Sequence, residues 1–380
     1  MTTAQFFVIK RVFLLYLLSW MDNVHRLRKF IIPMDRASIP TVNSSAASSE
    51  FPPNLVSMKE SIISRIQPDL RRIEEEIELL LTTSVPLISV VGRYIMGSGG
   101  KRLRPLLLVL SARLCGYQGS HDASLAVVFE FIHAASLLHD DVVDHAKFRR
   151  NRPAANTVWG NQAVVLVGDF LYSKAIHLTV GYNSLRMLEV LSEATTRMSE
   201  GEVLQLVHAD NIEISEEEYI EVITRKTAVL ISAACQIGAL FGGNDVQREK
   251  ALKTYGHNLG IAFQLVDDTL DYTGDVKELG KPVGNDIQEG KATLPLICAL
   301  RNGKPGDRAR LREVFSSEQL RKEDFAEIKE LVTRSGGLDY TLRLASRHIQ
   351  TAKQALDIFP PHPTRDLLSD IADYVICRRM

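Results

Sequence analysis

Several features that would each announce a function are scarce or missing. Cys115, Cys235, Cys298 and Cys377 are the only cysteines, and no two form a CxxC pair. That spacing excludes zinc knuckles. With three of the four in apolar stretches, they read as core thiols of a reducing cytoplasm and not as disulfides. A charge excess is lacking too. The formal net charge is −1 at pH 7, without the basic surplus that nucleic-acid binders carry, so no nucleic-acid partner is expected. The N-terminal apolar stretch Phe6–Trp20 is broken by Lys10 and Arg11, and falls short of the ~18 residues that suggest a membrane span. It imitates a secretory signal, but Asp22, His25, Arg26, Arg28 and Lys29 follow where a small-residue cleavage site should be. No run alternates with period two between hairpin turns, which argues against any sheet. No repeat of fixed period is found. No Ser-His-Asp or Cys-His arrangement stands out, so no protein nucleophile is expected.

What is present is apolar material on a helical period: 45% of the 380 residues are hydrophobic and 24% charged. In Leu70–Leu81, the residues Leu70, Ile73, Ile77, Leu80 and Leu81 share one stripe, with Arg and Glu opposite. Similar stripes predict helices over 105–115, 122–144, 162–177, 184–207, 216–242, 248–272, 291–301, 322–335, 339–357 and 364–378. Glycine and proline clusters separate them, as at Gly97–Gly100 and Pro360-Pro361. Thr227–Phe241 is apolar almost all round and belongs in the middle of a bundle. The expected fold is all-α, one large helical domain over 58–380. Residues 1–57 are expected to be an extension: 35–57 is Ser/Pro-rich and reads as disordered, and translation is expected to begin at Met34 or Met58.

Chemistry concentrates in two acidic clusters of one form, Asp140-Asp141-Val142-Val143-Asp144 and Asp267-Asp268-Thr269-Leu270-Asp271. Each ends an apolar helical run. On a helix i and i+4 share a face, so Asp140 pairs with Asp144 and Asp267 with Asp271. Several carboxylates at the end of an apolar helix are costly without counter-charge. Magnesium, which takes one or two carboxylates plus water and substrate phosphate, is the natural remedy. Either cluster alone could merely solvate a helix end; two together point to function. Phosphate needs cations as well. Gly99-Gly100-Lys101-Arg102-Leu103-Arg104-Pro105 puts three basic residues beside flexible glycines. Arg149-Arg150 follows the first cluster, Lys281 and Lys291 the second, and Lys226-Thr227 opens a buried helix. Any one could be a solvated charge. Their recurrence points to two diphosphate sites, one held by metal and one by Lys and Arg. His139 reads as support for the helix and metal shell, while His133 is equally a satisfied core histidine on this reading.

GGKRLRP, LLHDDVVD followed by RR, and FQLVDDTLD followed by GK…NDIQEGK resemble the trans-isoprenyl diphosphate synthases (polyprenyl synthetases). The resemblance covers 58–380 in the family's motif order. GEVLQL at 201–206 and VGDFLYSKA at 167–175 are similar to the bacterial octaprenyl type. It implies a helical bundle with a central hydrophobic tunnel and elongation of an allylic diphosphate primer by isopentenyl diphosphate. It further implies that Asp140, Asp144 and Asp267 bridge three Mg2+ to the allylic diphosphate, with Asp141, Asp268 and Asp271 supporting them. Arg149, Lys226, Lys281 and Lys291 would bind that diphosphate. Lys101, Arg104, His133 and Arg150 would hold isopentenyl diphosphate, Thr227 and Gln264 would line the reacting carbon, and Asp286 would order metal-bound water. Two departures stand out: the interval from Gly280-Lys281 to Lys291 varies in the family, and HAKFRRNRP replaces its commoner acidic version.

Product length has a steric reading. Ala135 and Ser136, one turn before Asp140, are small where short-product relatives place a bulky aromatic. They leave the tunnel open for products of about C40, with bulk such as Ile132 or helix 162–177 ending growth. A homodimer, a cytoplasmic location, transient membrane association through the lipid product, and supply of a respiratory quinone side chain are the accompanying expectations. The alternatives are a short-chain synthase, a non-catalytic subunit of a heteromeric synthase, and a terpene cyclase. A cyclase needs no second substrate site, and a silent subunit would be expected to lack an acidic cluster.

Overall fold

A computed structural model describes residues 53–150, 152–243, 245–273, 284–317 and 322–377. Lys281 and nearly all of the 1–57 extension lie outside them. Sixteen α-helices are labelled here in chain order. Helix α1 (Pro53–Leu80) starts upstream of Met58, so the 70–81 stripe is the C-terminal part of a longer helix. Helices α2 (Pro86–Gly97), α3 (Leu103–Leu114) and α4 (Asp122–Val143) follow. After α4 the chain makes a small hairpin, Phe148–Arg149 pairing antiparallel with Arg152–Pro153. That pairing corrects the expectation of no sheet at all. It was illegible because two residues per strand carry no periodicity.

Next come α5 (Ala155–Trp159), α6 (Asn161–Val180), α7 (Leu185–Val207), α8 (Glu216–Ile223) and α9 (Val229–Gly242). Between α8 and α9 the helix widens into a π turn, Thr224–Ala228. Lys226 and Thr227 therefore sit in the middle of one long helical path and do not open a helix, a correction to the sequence reading. Helices α10 (Val246–Thr273), α11 (Asn285–Gln288), α12 (Leu294–Asn302), α13 (Pro305–Phe315), α14 (Lys322–Arg334), α15 (Gly337–Ala355) and α16 (Pro363–Cys377) complete the path. The short helices α5 and α11 were not expected, and neither were the longer α2 and α13. Helices α2 and α13 both begin with proline at the first helical position, where its missing N–H costs nothing.

The interior is organised around α3 and α9. Leu107 and Leu110 of α3, with Ile231 and Cys235 of α9, join one apolar cluster with α10, α12, α15 and α16. Leu108 and Val109 of α3, with Leu230, Ala234 and Ile237 of α9, join a second with α4, α6 and α7. A helix apolar on all sides is what such a position requires, as read for Thr227–Phe241. Cys115, Cys235 and Cys298 are buried thiols, as expected, and Cys377 is half-buried.

Candidate active site

The first acidic cluster lies where α4 ends. Asp144 is the residue after the helix, and its N–H donates to the Asp140 carbonyl at 2.8 Å. The hairpin folds Arg149 back so that its Nε donates to Asp141 Oδ1 at 2.7 Å. Asn156 Nδ2 donates to the Asp141 carbonyl at 2.8 Å, fixing the chain on the far side of the turn. Asp141 is fully buried, and its Oδ2 has no hydrogen-bond partner among the described residues. Burial pushes the Asp140 carboxyl up to about 6, against the pull of Lys226 and Arg149. Lys226 Nζ meets Glu202 Oε2 at 2.5 Å, so a second carboxylate stands in this neighbourhood.

The second cluster sits near the end of α10. Asp268 is 3% exposed, and both its oxygens are engaged: Tyr219 donates its hydroxyl to Oδ2, and Gln264 Nε2 donates to Oδ1 at 2.8 Å. Thr227 Oγ1 donates in turn to Gln264 Oε1 at 3.0 Å. Burial raises the Asp268 carboxyl to about 7 despite those donors. Asp271 Oδ2 accepts from the backbone N–H of Asp286 at 3.1 Å. The Asp286 carbonyl accepts from the Lys291 N–H at 2.8 Å.

Two features join the clusters. Lys291 Nζ lies 3.8 Å from Asp144 Oδ2, so the segment after the second cluster reaches the first. Burial lowers the Lys291 ammonium, but Glu289 and Asp144 outweigh it and the net shift is upward. The π turn is the other link: Lys226 bears on Asp140, and Thr227 leads through Gln264 to Asp268. Such turns are rare, and they recur at functional sites because they let neighbouring side chains leave the normal helical spacing. Two close helix contacts hold this one. A Cβ on Gly201 would come 2.7 Å from the Lys226 nitrogen, and one on Gly260 would come 2.6 Å from the Ala228 Cα.

Of the residues expected to form the basic site, Arg104, Arg150 and His133 share one electrostatic neighbourhood. Arg104 feels Arg150, Glu130 and Asp267, and burial lowers its guanidinium first of all. Its Nε is buried with no hydrogen-bond partner among the described residues. Burial, then the nearby charges of Arg104 and Arg150, hold the His133 imidazole well below its ordinary range. Lys101 Nζ lies 5.9 Å from the centre of the Phe263 ring. Of the two residues expected to govern chain length, Ala135 is buried within the apolar cluster shared by α4, α6 and α7. Ser136 is half-buried, with its hydroxyl donating to the His133 carbonyl at 2.9 Å. His139 turns away to the Val165 carbonyl at 3.2 Å and Asp169 at 3.4 Å, tying α4 to α6.

The donor set suits magnesium. Its ligands are hard oxygens, and burial charges each cluster an electrostatic cost that a divalent ion would remove. Among the described residues no three acidic or histidine side chains already converge on one ion position. Glu202, Glu130, Tyr219 and Asn156 were missed as site residues. Two left a signal: Glu130 is a lone charge inside the apolar run Val127–Ala135, and Glu202 lies in the GEVLQL motif.

The polyprenyl synthetase family model matches residues 85–332. The chain is 44% identical over 305 residues to the octaprenyl diphosphate synthase of Haemophilus influenzae, covering 80% of this chain and 92% of that protein. It is 43% identical over 299 residues to the Escherichia coli octaprenyl diphosphate synthase, covering 78% and 92%. A polyprenyl synthase from Caulobacter crescentus, crystallised with calcium and isoprenyl diphosphate, superposes with a TM-score of 0.81 at 41% identity, covering 84% of this chain and 98% of that one. The chain belongs to the polyprenyl synthetase family, and it is a metal-dependent prenyltransferase of the all-α isoprenoid synthase fold.

Proposed function

We propose that this enzyme extends an allylic diphosphate primer with isopentenyl diphosphate to a long all-trans polyprenyl diphosphate of about C40, the side chain of a respiratory quinone. The observation that carries the reading is the convergence of both acidic clusters, linked by Lys226-Thr227 and Lys291, beside a separate cationic site at Arg104, Arg150 and His133. Two diphosphate sites with opposite means of holding phosphate are what joining two such substrates requires. Similarity to two octaprenyl diphosphate synthases supports the product class.

In this reading Asp140, Asp144 and Asp267 would hold magnesium, three ions in all, with Asp141, Asp268 and Asp271 supporting them and Asp286 ordering water in the ions' shells. When bound, the metal supplies positive charge for the departing diphosphate. Arg149, Lys226 and Lys291 add fixed cations where negative charge grows, and Lys281, outside the described residues, would join them. Thr227 and Gln264 present oxygen dipoles to the allylic carbon as its C–O bond breaks. Lys101, Arg104, Arg150 and His133 hold the isopentenyl diphosphate so that its double bond attacks. A proton then leaves to the released diphosphate. The apolar walls of α4 and α6 exclude water from the allylic cation and form the tunnel that receives the growing tail.

Helices α6 and α7 support a homodimer. Leu166 is 67% exposed, Val203 59% and Val207 69%, an apolar face of the kind that a partner covers. Helix α6 is also long and apolar enough to cross a membrane by composition, although only a third of it is buried. A second copy against it accounts for that apolarity, with the enzyme in the cytoplasm and touching membranes transiently through its product. Incubation with labelled isopentenyl diphosphate, a primer and Mg2+, followed by mass analysis, tests the proposal. No incorporation would mark a silent subunit, a cyclic hydrocarbon a terpene cyclase, and a C15–C20 product a short-chain synthase.

A further inference from the structure

Lys101, Arg102 and Arg104 look equivalent in sequence, but the structure gives Arg102 different work. Its backbone is left-handed, with φ 45°, immediately before α3. Its side chain turns back into the protein and the residue is 8% exposed. Nε donates to Glu74 Oε1 at 2.7 Å, Nη1 to Glu130 Oε1 at 2.6 Å, and Nη2 to the Met96 carbonyl at 2.9 Å. Every nitrogen of the guanidinium thus has a protein acceptor, and the three acceptors stand on α1, α4 and α2. Arg102 is not placed to receive phosphate.

Glu130, the deepest of these acceptors, is 6% exposed. Its charge acts on Arg104 and Arg150 as well as on Arg102. It also sits one helical turn before His133. One buried carboxylate therefore balances the cations on both sides of the turn. The turn itself is closely fitted, since a Cβ on Gly100 would come 3.3 Å from Arg150 Nη1.

We propose that Arg102 and Glu130 form a buried latch that positions Lys101 and Arg104 for isopentenyl diphosphate. The inference rests on the reading that Lys101, Arg104, His133 and Arg150 hold that substrate. A planar fork with acceptors on three helices admits one geometry. A non-glycine residue in a left-handed conformation persists only where its surroundings hold it there. Released, the turn relaxes, and Lys101 and Arg104 on either side of Arg102 leave the phosphate. The primer cations Arg149, Lys226 and Lys291 stand on other elements and do not hang on the latch.

Steady-state kinetics of the full-length enzyme, varying each substrate, tests this alongside melting curves. Arg102→Met is expected to raise the KM for isopentenyl diphosphate about tenfold, with the primer KM within about twofold of wild type. It also strands a buried carboxylate and lowers the melting temperature. The double variant Arg102→Met with Glu130→Met removes the stranded charge, which restores melting, while the KM for isopentenyl diphosphate stays high. Recovery of that KM together with melting overturns the proposal, because the pair then serves stability alone. Should Arg102→Met fail to fold, Glu74→Gln weakens only the half-exposed arm of the latch. It is expected to raise the same KM a few-fold without lowering the melting temperature, and an unchanged KM overturns the latch. Arg104→Ala is the reference. If it raises the KM and Arg102→Met does not, the latch alone fails. If Arg104→Ala leaves the KM unchanged, the assignment of the substrate site fails with it.

Discussion

The hydroxyl of Tyr219 donates to Oδ2 of Asp268, reaching across from α8 to the middle of the second acidic cluster. Gln264 occupies the other oxygen at 2.8 Å, so Asp268 is turned toward protein on both sides. It acts as the peg on which Asp267 and Asp271 are hung. Tyr219 is itself set by a capping box at Ser215 and Glu218, which fixes where α8 begins and is worth about 1 kcal/mol.

Tyr219→Phe is therefore expected to lower turnover about tenfold and to shift the Mg2+ dependence of the rate to higher concentration. Stability should fall by about 1–3 kcal/mol, since a buried acceptor is left unsatisfied. A rate-versus-Mg2+ curve that superposes on wild type would show the hydroxyl to be a packing contact only.

Asp140→Ala and Asp267→Ala are each expected to cut turnover by about a hundredfold or more, with the helical circular dichroism unchanged. On the proposed function both carboxylates would serve an ion and its diphosphate, not the core. Near wild-type turnover at saturating Mg2+ in either variant would contradict the assignment.

Lys226→Ala removes the cation that meets Glu202 at 2.5 Å and faces Asp140. We expect the primer KM to rise about tenfold and turnover to fall with it. Adding Glu202→Gln should return part of the loss, because it removes the carboxylate left without a partner. No recovery in the double variant would mean that Glu202 does not act through this charge balance.

Much of this was legible from residue order because helical periodicity and repeated acidic motifs are local patterns. The stripes at 122–144, 184–207 and 248–272 match α4, α7 and α10 to within a few residues, and the two clusters fall near the ends of α4 and α10. What stayed hidden depends on contacts remote in sequence. Tyr219 lies 49 residues from Asp268, and nothing near Tyr219 marks it. Arg102 looked like its basic neighbours until Glu74 and Glu130, each 28 residues away, were seen to claim it. The π turn left no trace in the 216–242 stripe, since beyond Lys226 the path is apolar on all sides and offers no stripe whose phase an extra residue could shift.

Product length gives a sharper trial of the tunnel. Ser136 shares Asp140's face at i−4, and Ala135 is buried in the apolar cluster that also takes in Val167 and Leu171 of α6. Ala135→Tyr and Ser136→Phe are expected to shorten the product to about C15–C20 while leaving the first condensations intact. Mass analysis of the extracted alcohols reads the outcome. Unchanged lengths in both variants would place the growing tail elsewhere.

Leu166→Glu combined with Val203→Glu should convert a dimer to a monomer in sedimentation velocity, because it plants charge on the exposed apolar face of α6 and α7. A wild-type monomer with full activity would remove the case for a partner on that face.

The widened turn at Thr224–Ala228 makes this enzyme sensitive to residue count in a way that side-chain chemistry does not reveal. Each helical residue advances the path by about 100°. Deleting one residue there would regularise the helix and turn everything on one side of it by that angle. Either α9 would lose its register between the two apolar clusters, or Lys226 and Thr227 would swing off Asp140 and Gln264. Substitutions in the segment can be absorbed locally; a change of length cannot. Gly201 and Gly260, pressed against the turn from opposite helices, leave no slack to hide the error.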